Sequence, residues 1–115
     1  MSFVNAWHGI KEGLGQRNLR VHVFVSFIVV AAGLYFKISF YEWVTVIVLV
    51  GLVWAAELFN TSIEDQANIM RDELGAPYSL MGKAKDMAAG AVLVLAIAAA
   101  IIGLGIFLPK LISLI

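Results

Sequence analysis

Residues 87–108 read MAAGAVLVLAIAAAIIGLGIFL, 22 positions without a charge, closed by Pro109 and Lys110. A helix of that length, at about 1.5 Å per residue, extends ~33 Å and so crosses a hydrocarbon core of roughly 30 Å. Two further apolar runs precede it. Residues 21–36 lie between Arg20 and Lys37 and are slightly short for a span, a deficit that snorkelling by the two flanking cations makes up. The other run begins near Tyr41, with Glu42 and Trp43 at its boundary, and stays apolar through Ala56. From Trp43 to Ala56 a helix covers only ~21 Å, so Glu57 is expected inside the membrane toward its second face, with Glu64 about two turns further on.

The whole composition agrees. Of 115 residues, 62% are hydrophobic and 14% charged, mean hydropathy is +0.94 and cysteine is absent, which excludes an ordinary soluble domain and a disulfide framework. Formal net charge is zero, with no basic stripe to follow a phosphate backbone, so nucleic acid is not an expected partner. Residues 1–15 lack the continuous apolar core of a cleavable signal. Phe3, Trp7, Ile10 and Leu14 instead recur at helical spacing, describing an amphipathic helix that lies on the membrane surface or simply packs against the bundle.

The expected fold is therefore an all-α membrane protein of one domain, with a surface helix over 1–18 and membrane-spanning helices over 19–38, 41–68 and 83–109. A polar segment over 64–86, turning at Gly75-Ala76-Pro77, joins the last two. Three spans put this segment and the N-terminus on one side. That side carries Lys11, Arg17, Arg20, Arg71, Lys83 and Lys85, six of the eight basic residues, and the bias makes it cytoplasmic, with the C-terminus opposite.

Ionisable groups within such helices are expensive and are functional candidates by default. Glu57, Asn60 and Glu64 follow i, i+3, i+7 spacing and share one stripe, expected to face Lys85 and Asp86 where the third span enters the membrane. A carboxylate withdrawn from water suits a general base. One nearer the surface can hold Mg²⁺ with help from an amide oxygen, and a lysine at the same height offers a point charge to a phosphate. These parts favour phosphoryl transfer, which needs mainly positioning and charge neutralisation. Blander readings stand beside it. Glu57 could be a packing carboxyl or the proton carrier of a small transporter, Asn60 could be interhelical glue, and Asp65, Arg71, Asp72 and Glu73 read as a solvated helix end. Lys83 reads as a topology determinant, His22 as an interfacial hydrogen bonder, and Trp7, Trp43 and Trp54 as anchors and packing residues.

Two ordered motifs, Glu57-Leu58-Phe59-Asn60-Thr61-Ser62-Ile63-Glu64 and Lys83-Ala84-Lys85-Asp86-Met87-Ala88-Ala89-Gly90-Ala91-Val92, closely resemble the signature of the prokaryotic diacylglycerol kinase family, which includes the undecaprenol kinases. Arg17-Asn18-Leu19-Arg20-Val21-His22 looks like the segment before the first span in the undecaprenol-kinase branch. The resemblance implies a homotrimer in the bacterial inner membrane that phosphorylates a lipid hydroxyl from Mg-ATP at the cytoplasmic interface, in sites shared between subunits. It implies Glu57 as the base, Asn60 as a site-organising amide and Glu64 as a metal-binding carboxylate. Lys85 and Asp86 match the pair that engages the nucleotide. The family has a metal-binding glutamate where this chain has Gln16, and a nucleotide-contacting acid where it has Asn68; both positions are carried over as nucleotide-binding, Gln16 also toward the metal, with Asp65 or Asp72 available as replacement acids. Two rivals remain open: a proton-coupled transporter built on Glu57, and a catalytically silent protein that keeps the fold.

Overall fold

The computed structural model describes residues 2–115, which form four helices: α1 (Phe3–Leu14), α2 (Arg17–Phe36), α3 (Phe40–Leu74) and α4 (Tyr78–Ile112). The last three are long and apolar enough to cross a membrane. Local chemistry sets the boundaries. The Ser2 hydroxyl accepts from the Val4 backbone N–H and caps α1. Ser39 and Glu42 form a reciprocal capping box at the start of α3, so two orphan donors are satisfied within one turn. Gly75, at φ 68°, ends α3 in the left-handed conformation that glycine adopts without a Cβ penalty. Pro77 then opens α4.

The connections are short. Residues 37–39 turn α2 into α3, and 75–77 turn α3 into α4, so each successive pair is antiparallel. The expected polar segment over 64–86 is thus almost entirely helical. Both helices run past the apolar spans because Glu64–Leu74 and Tyr78–Asp86 hold no proline and a single glycine, Gly82; a helix of 35 residues reaches ~52 Å, well beyond the ~30 Å hydrocarbon layer. Nor does Pro109 close α4, which continues to Ile112. In the last turns of a helix a proline removes one hydrogen bond without abolishing the remainder.

α3 is the central element, with Val46, Glu57, Asn60 and Ala67 buried, whereas α4 has no buried residue in the single chain. At the α2–α3 turn Ile38 is buried and the Trp43 ring lies over Gly33, where an added Cβ would stand 2.6 Å from the ring. Gly33→Leu should therefore force the hairpin apart and cost about 1–3 kcal/mol. Tryptophan fluorescence during denaturation in detergent measures this, and an unchanged midpoint would contradict the packing described. At the other end, Gly13 is buried against Leu58 and Leu19 and fixes the C-terminal half of α1 on α3, while Phe3 (86% exposed), Val4 and Trp7 at its N-terminal half remain uncovered.

Candidate active site

Glu57 and Asn60 are the two buried polar side chains of the described residues, at 3% and 5% exposure. The Asn60 amide Nδ2 donates to Glu64 Oε1 at 3.0 Å, which holds that carboxylate one turn further along the same stripe of α3. Glu57 Oε1 and Asn60 Oδ1 have no hydrogen-bond partner. An orphaned buried acceptor costs about 1–3 kcal/mol, so two of them side by side point to groups that arrive from outside the chain.

Glu57 Oε2 does have a neighbour: His22 Nε2 lies 3.6 Å away, with the His22 side chain 25% exposed. The reading of His22 as an interfacial hydrogen bonder missed this placement. Its signal was present in the sequence, because His22 precedes Ser39 by 17 residues and Glu57 follows Phe40 by 17, so an antiparallel hairpin turning there sets them at the same height. Ser26 and Trp54 differ from that symmetry by one residue, 13 before Ser39 and 14 after Phe40, and the Trp54 indole donates to Ser26 Oγ at 2.9 Å. Ser26 Oγ in turn donates to the His22 carbonyl at 2.7 Å, which ties the first turns of α2 to α3.

Across the α3–α4 turn, Lys85 Nζ donates to Asn68 Oδ1 at 3.0 Å. Asn68, expected as a nucleotide contact, here offers the lysine a neutral acceptor. Asp86 does not join this cluster. One residue turns a helix by about 100°, and exposed Asp86 instead lines an open groove of about 450 Å³ with Tyr78, Ser79, Gly82, Lys83 and Met87. Gln16 is likewise apart: it is exposed in a cleft of about 250 Å³ beside Glu12, Thr61, Ser62 and Asp65, on a different face of α3 from Glu64. Asp72 is engaged elsewhere, since Arg71 donates to it at 2.8 and 3.3 Å and this hydrogen bonding holds its carboxyl below the usual range. In a single chain, then, Glu57, Asn60 and Glu64 assemble with His22, and Lys85 assembles with Asn68. Gln16 and Asp86 stand outside both groups.

Among the described residues no group of three or more His, Cys, Asp or Glu side chains is placed to hold a metal ion. The donor chemistry nevertheless fits Mg²⁺. Glu64 keeps one oxygen not engaged by Asn60, the Asn60 carbonyl oxygen is unpartnered, and Mg²⁺ is commonly held by one or two carboxylates together with water and substrate phosphates.

Fold and stripe together define a small multi-pass membrane protein with a polar site at one end of an apolar bundle. The chain belongs to the prokaryotic diacylglycerol kinase family, whose model matches residues 4–107. It is similar to the undecaprenol kinase of Bacillus subtilis (strain 168), 40% identical over 111 residues that cover 96% of this chain and 88% of the relative. It is also similar to a diacylglycerol kinase of Synechocystis, 40% identical over 119 residues, covering 99% of this chain but only 65% of that longer protein. No solved structure matches the chain. Membership supports the class of membrane lipid kinases and a multi-pass membrane location.

Proposed function

We propose that the chain transfers the γ-phosphate of ATP to the hydroxyl of a membrane lipid, either undecaprenol or diacylglycerol. The observation that carries this reading is Glu57 Oε1, a buried carboxylate oxygen without a partner on a helix whose preceding three turns, Val46 to Ala56, are wholly apolar. A lipid hydroxyl brought there by an apolar chain supplies the missing donor, and the carboxylate takes its proton as the lipid oxygen attacks. The bond from that oxygen to the γ-phosphorus forms while the bond from phosphorus to the β–γ bridging oxygen breaks, and ADP leaves. Lys85, released from Asn68, moves its charge onto the phosphates. Asn60 keeps Glu64 oriented, and Glu64 would hold Mg²⁺, which when bound supplies neutralisation of phosphate charge.

The remaining site residues call for more than one copy. Gln16 and Asp86 line clefts apart from the Glu57 stripe within the chain, and α4 has no buried residue in the single chain, so a homotrimer in which neighbours lend Gln16 to the metal and Asp86 to the nucleotide accounts for both facts. The uncovered Phe3, Val4 and Trp7 make α1 an amphipathic surface helix, with these side chains in the lipid interface. The N-terminus and the 75–77 turn lie on the cytoplasmic side of a bacterial inner membrane, and the C-terminus lies opposite, by the basic bias of their flanks.

Lipid-dependent transfer of labelled γ-phosphate by the purified protein tests the proposal, with a polyprenol and dioleoylglycerol offered in parallel. Labelled lipid in one arm names the acceptor. A folded, assembled protein that labels neither would favour the silent or transport readings.

A further inference from the structure

His22 is the one basic group within ion-pair distance of Glu57 among the described residues, the other ion pairs being Arg71 with Asp72 and Lys110 with Glu42. Its surroundings set it apart. Arg17 and Arg20 on α2 are exposed, as are Lys11 and Glu12 on α1, and α4 is uncharged from Met87 to Pro109; Glu64 is the other acid on the Glu57 stripe, and Asn60 holds it. His22 contacts Glu57 through Oε2, the oxygen opposite the orphaned Oε1. It therefore borders the base without occupying the space where an acceptor hydroxyl would come.

The geometry raises a question that phosphoryl transfer itself leaves open. A carboxylate 3% exposed that takes a proton at each turnover must lose it again, and almost none of its surface is open to an outside acceptor. We propose that His22 is a positioning residue for this base, acting through Glu57 by relieving it of the proton taken from the lipid hydroxyl and so restoring the carboxylate; the role rests on the kinase reading above. After transfer the proton is on the Glu57 carboxyl. The terminal torsion of glutamate is broad and roughly two-fold, so a half-turn brings the O–H to His22 Nε2. Nε2, bare while Nδ1 carries the ring's own proton, binds the proton and Glu57 returns to carboxylate; the imidazolium, whose side chain is 25% exposed in the single chain, then releases one proton and returns to the Nδ1–H tautomer. No co-reactant is needed.

The packing around His22 makes the position rigid enough for this. Its carbonyl is held by Ser26, which is held by Trp54 of α3, so the ring leaves a turn that is tied across the hairpin.

The test uses the full-length protein in mixed micelles with Mg-ATP and whichever lipid the unmodified chain phosphorylates. His22→Gln keeps an amide donor toward Glu57 but cannot carry a proton; it should lower kcat at least about tenfold while leaving KM for ATP and lipid little changed. His22→Ala should fall similarly, and added imidazole should restore part of its kcat, a recovery that a purely packing role would not produce. Imidazole should do nothing for Glu57→Gln. Unchanged kcat in His22→Gln would overturn the role, as would a loss in His22→Ala that imidazole leaves untouched. Absence of transfer by the unmodified chain would instead sink the kinase reading and this role with it, so the two failures are told apart by one control.

Discussion

Glu57→Gln is expected to leave the protein folded, assembled and able to bind nucleotide while lowering phosphoryl transfer by about 10³-fold, within the 10²–10⁴ range of a positioned general base. The substitution is nearly isosteric and removes the ability to accept a proton, so volume and packing on α3 hardly change. Stability should not fall. Glu57 is a buried acid whose Oε1 has no partner and whose Oε2 meets only His22 at 3.6 Å, an arrangement that costs the folded state at least as much as an amide there would. An equal or raised unfolding midpoint together with lost turnover is the pattern of a group kept for chemistry at the expense of stability. Labelled-phosphate transfer, nucleotide binding and thermal unfolding measured on the same preparation decide it. Turnover that survives the mutation would remove Glu57 as the base, and lost turnover with a collapsed midpoint would mean that the carboxyl holds the helices together.

How much of this was legible before the fold was known differs between residues for physical reasons. The three apolar helices were, because a lipid solvent admits few patterns and each run is apolar over at least 14 residues with ionisable residues or proline at its ends. The Glu57–Asn60–Glu64 stripe was also legible, since i, i+3, i+7 spacing fixes a face whatever surrounds it. The length of α3 and α4 was not: hydropathy marks where the membrane ends, and a helix of polar residues continues beyond that point without announcing itself. His22 was missed because a lone histidine at a helix start has no local signal, although the three-residue turn at 37–39 determines which residues of an antiparallel pair meet. The same count across 75–77 pairs Asn68 with Lys85 and Glu42 with Lys110, the latter joined at 2.9 Å. Expecting Asp86 beside Lys85 overlooked the rotation between adjacent helical positions, which sends one toward α3 and the other to the open groove.

That divergence gives Lys85 the second large effect. Its ammonium is held at 3.0 Å by Asn68 Oδ1, an acceptor without charge, so moving it onto a phosphate oxygen breaks one hydrogen bond to a neutral acceptor and no ion pair. Lys85→Ala should lower kcat/KM for ATP by about 10²–10³-fold, the loss usual for one donor aimed at developing charge, with part of it in KM because the same charge binds the ground-state phosphates. Asn68→Ala, which frees the lysine without removing it, should change turnover far less. Asn68→Asp turns the acceptor into a competing anion, and should raise KM for ATP, since Lys85 must then leave a charged partner. The order Lys85→Ala, Asn68→Asp, Asn68→Ala in steady-state ATP kinetics, from largest loss to smallest, is the signature of a lysine waiting on a neutral acceptor. If Asn68→Ala is as damaging as Lys85→Ala, the amide itself contacts the nucleotide. Normal ATP kinetics in Lys85→Ala would take the lysine out of the phosphate site altogether.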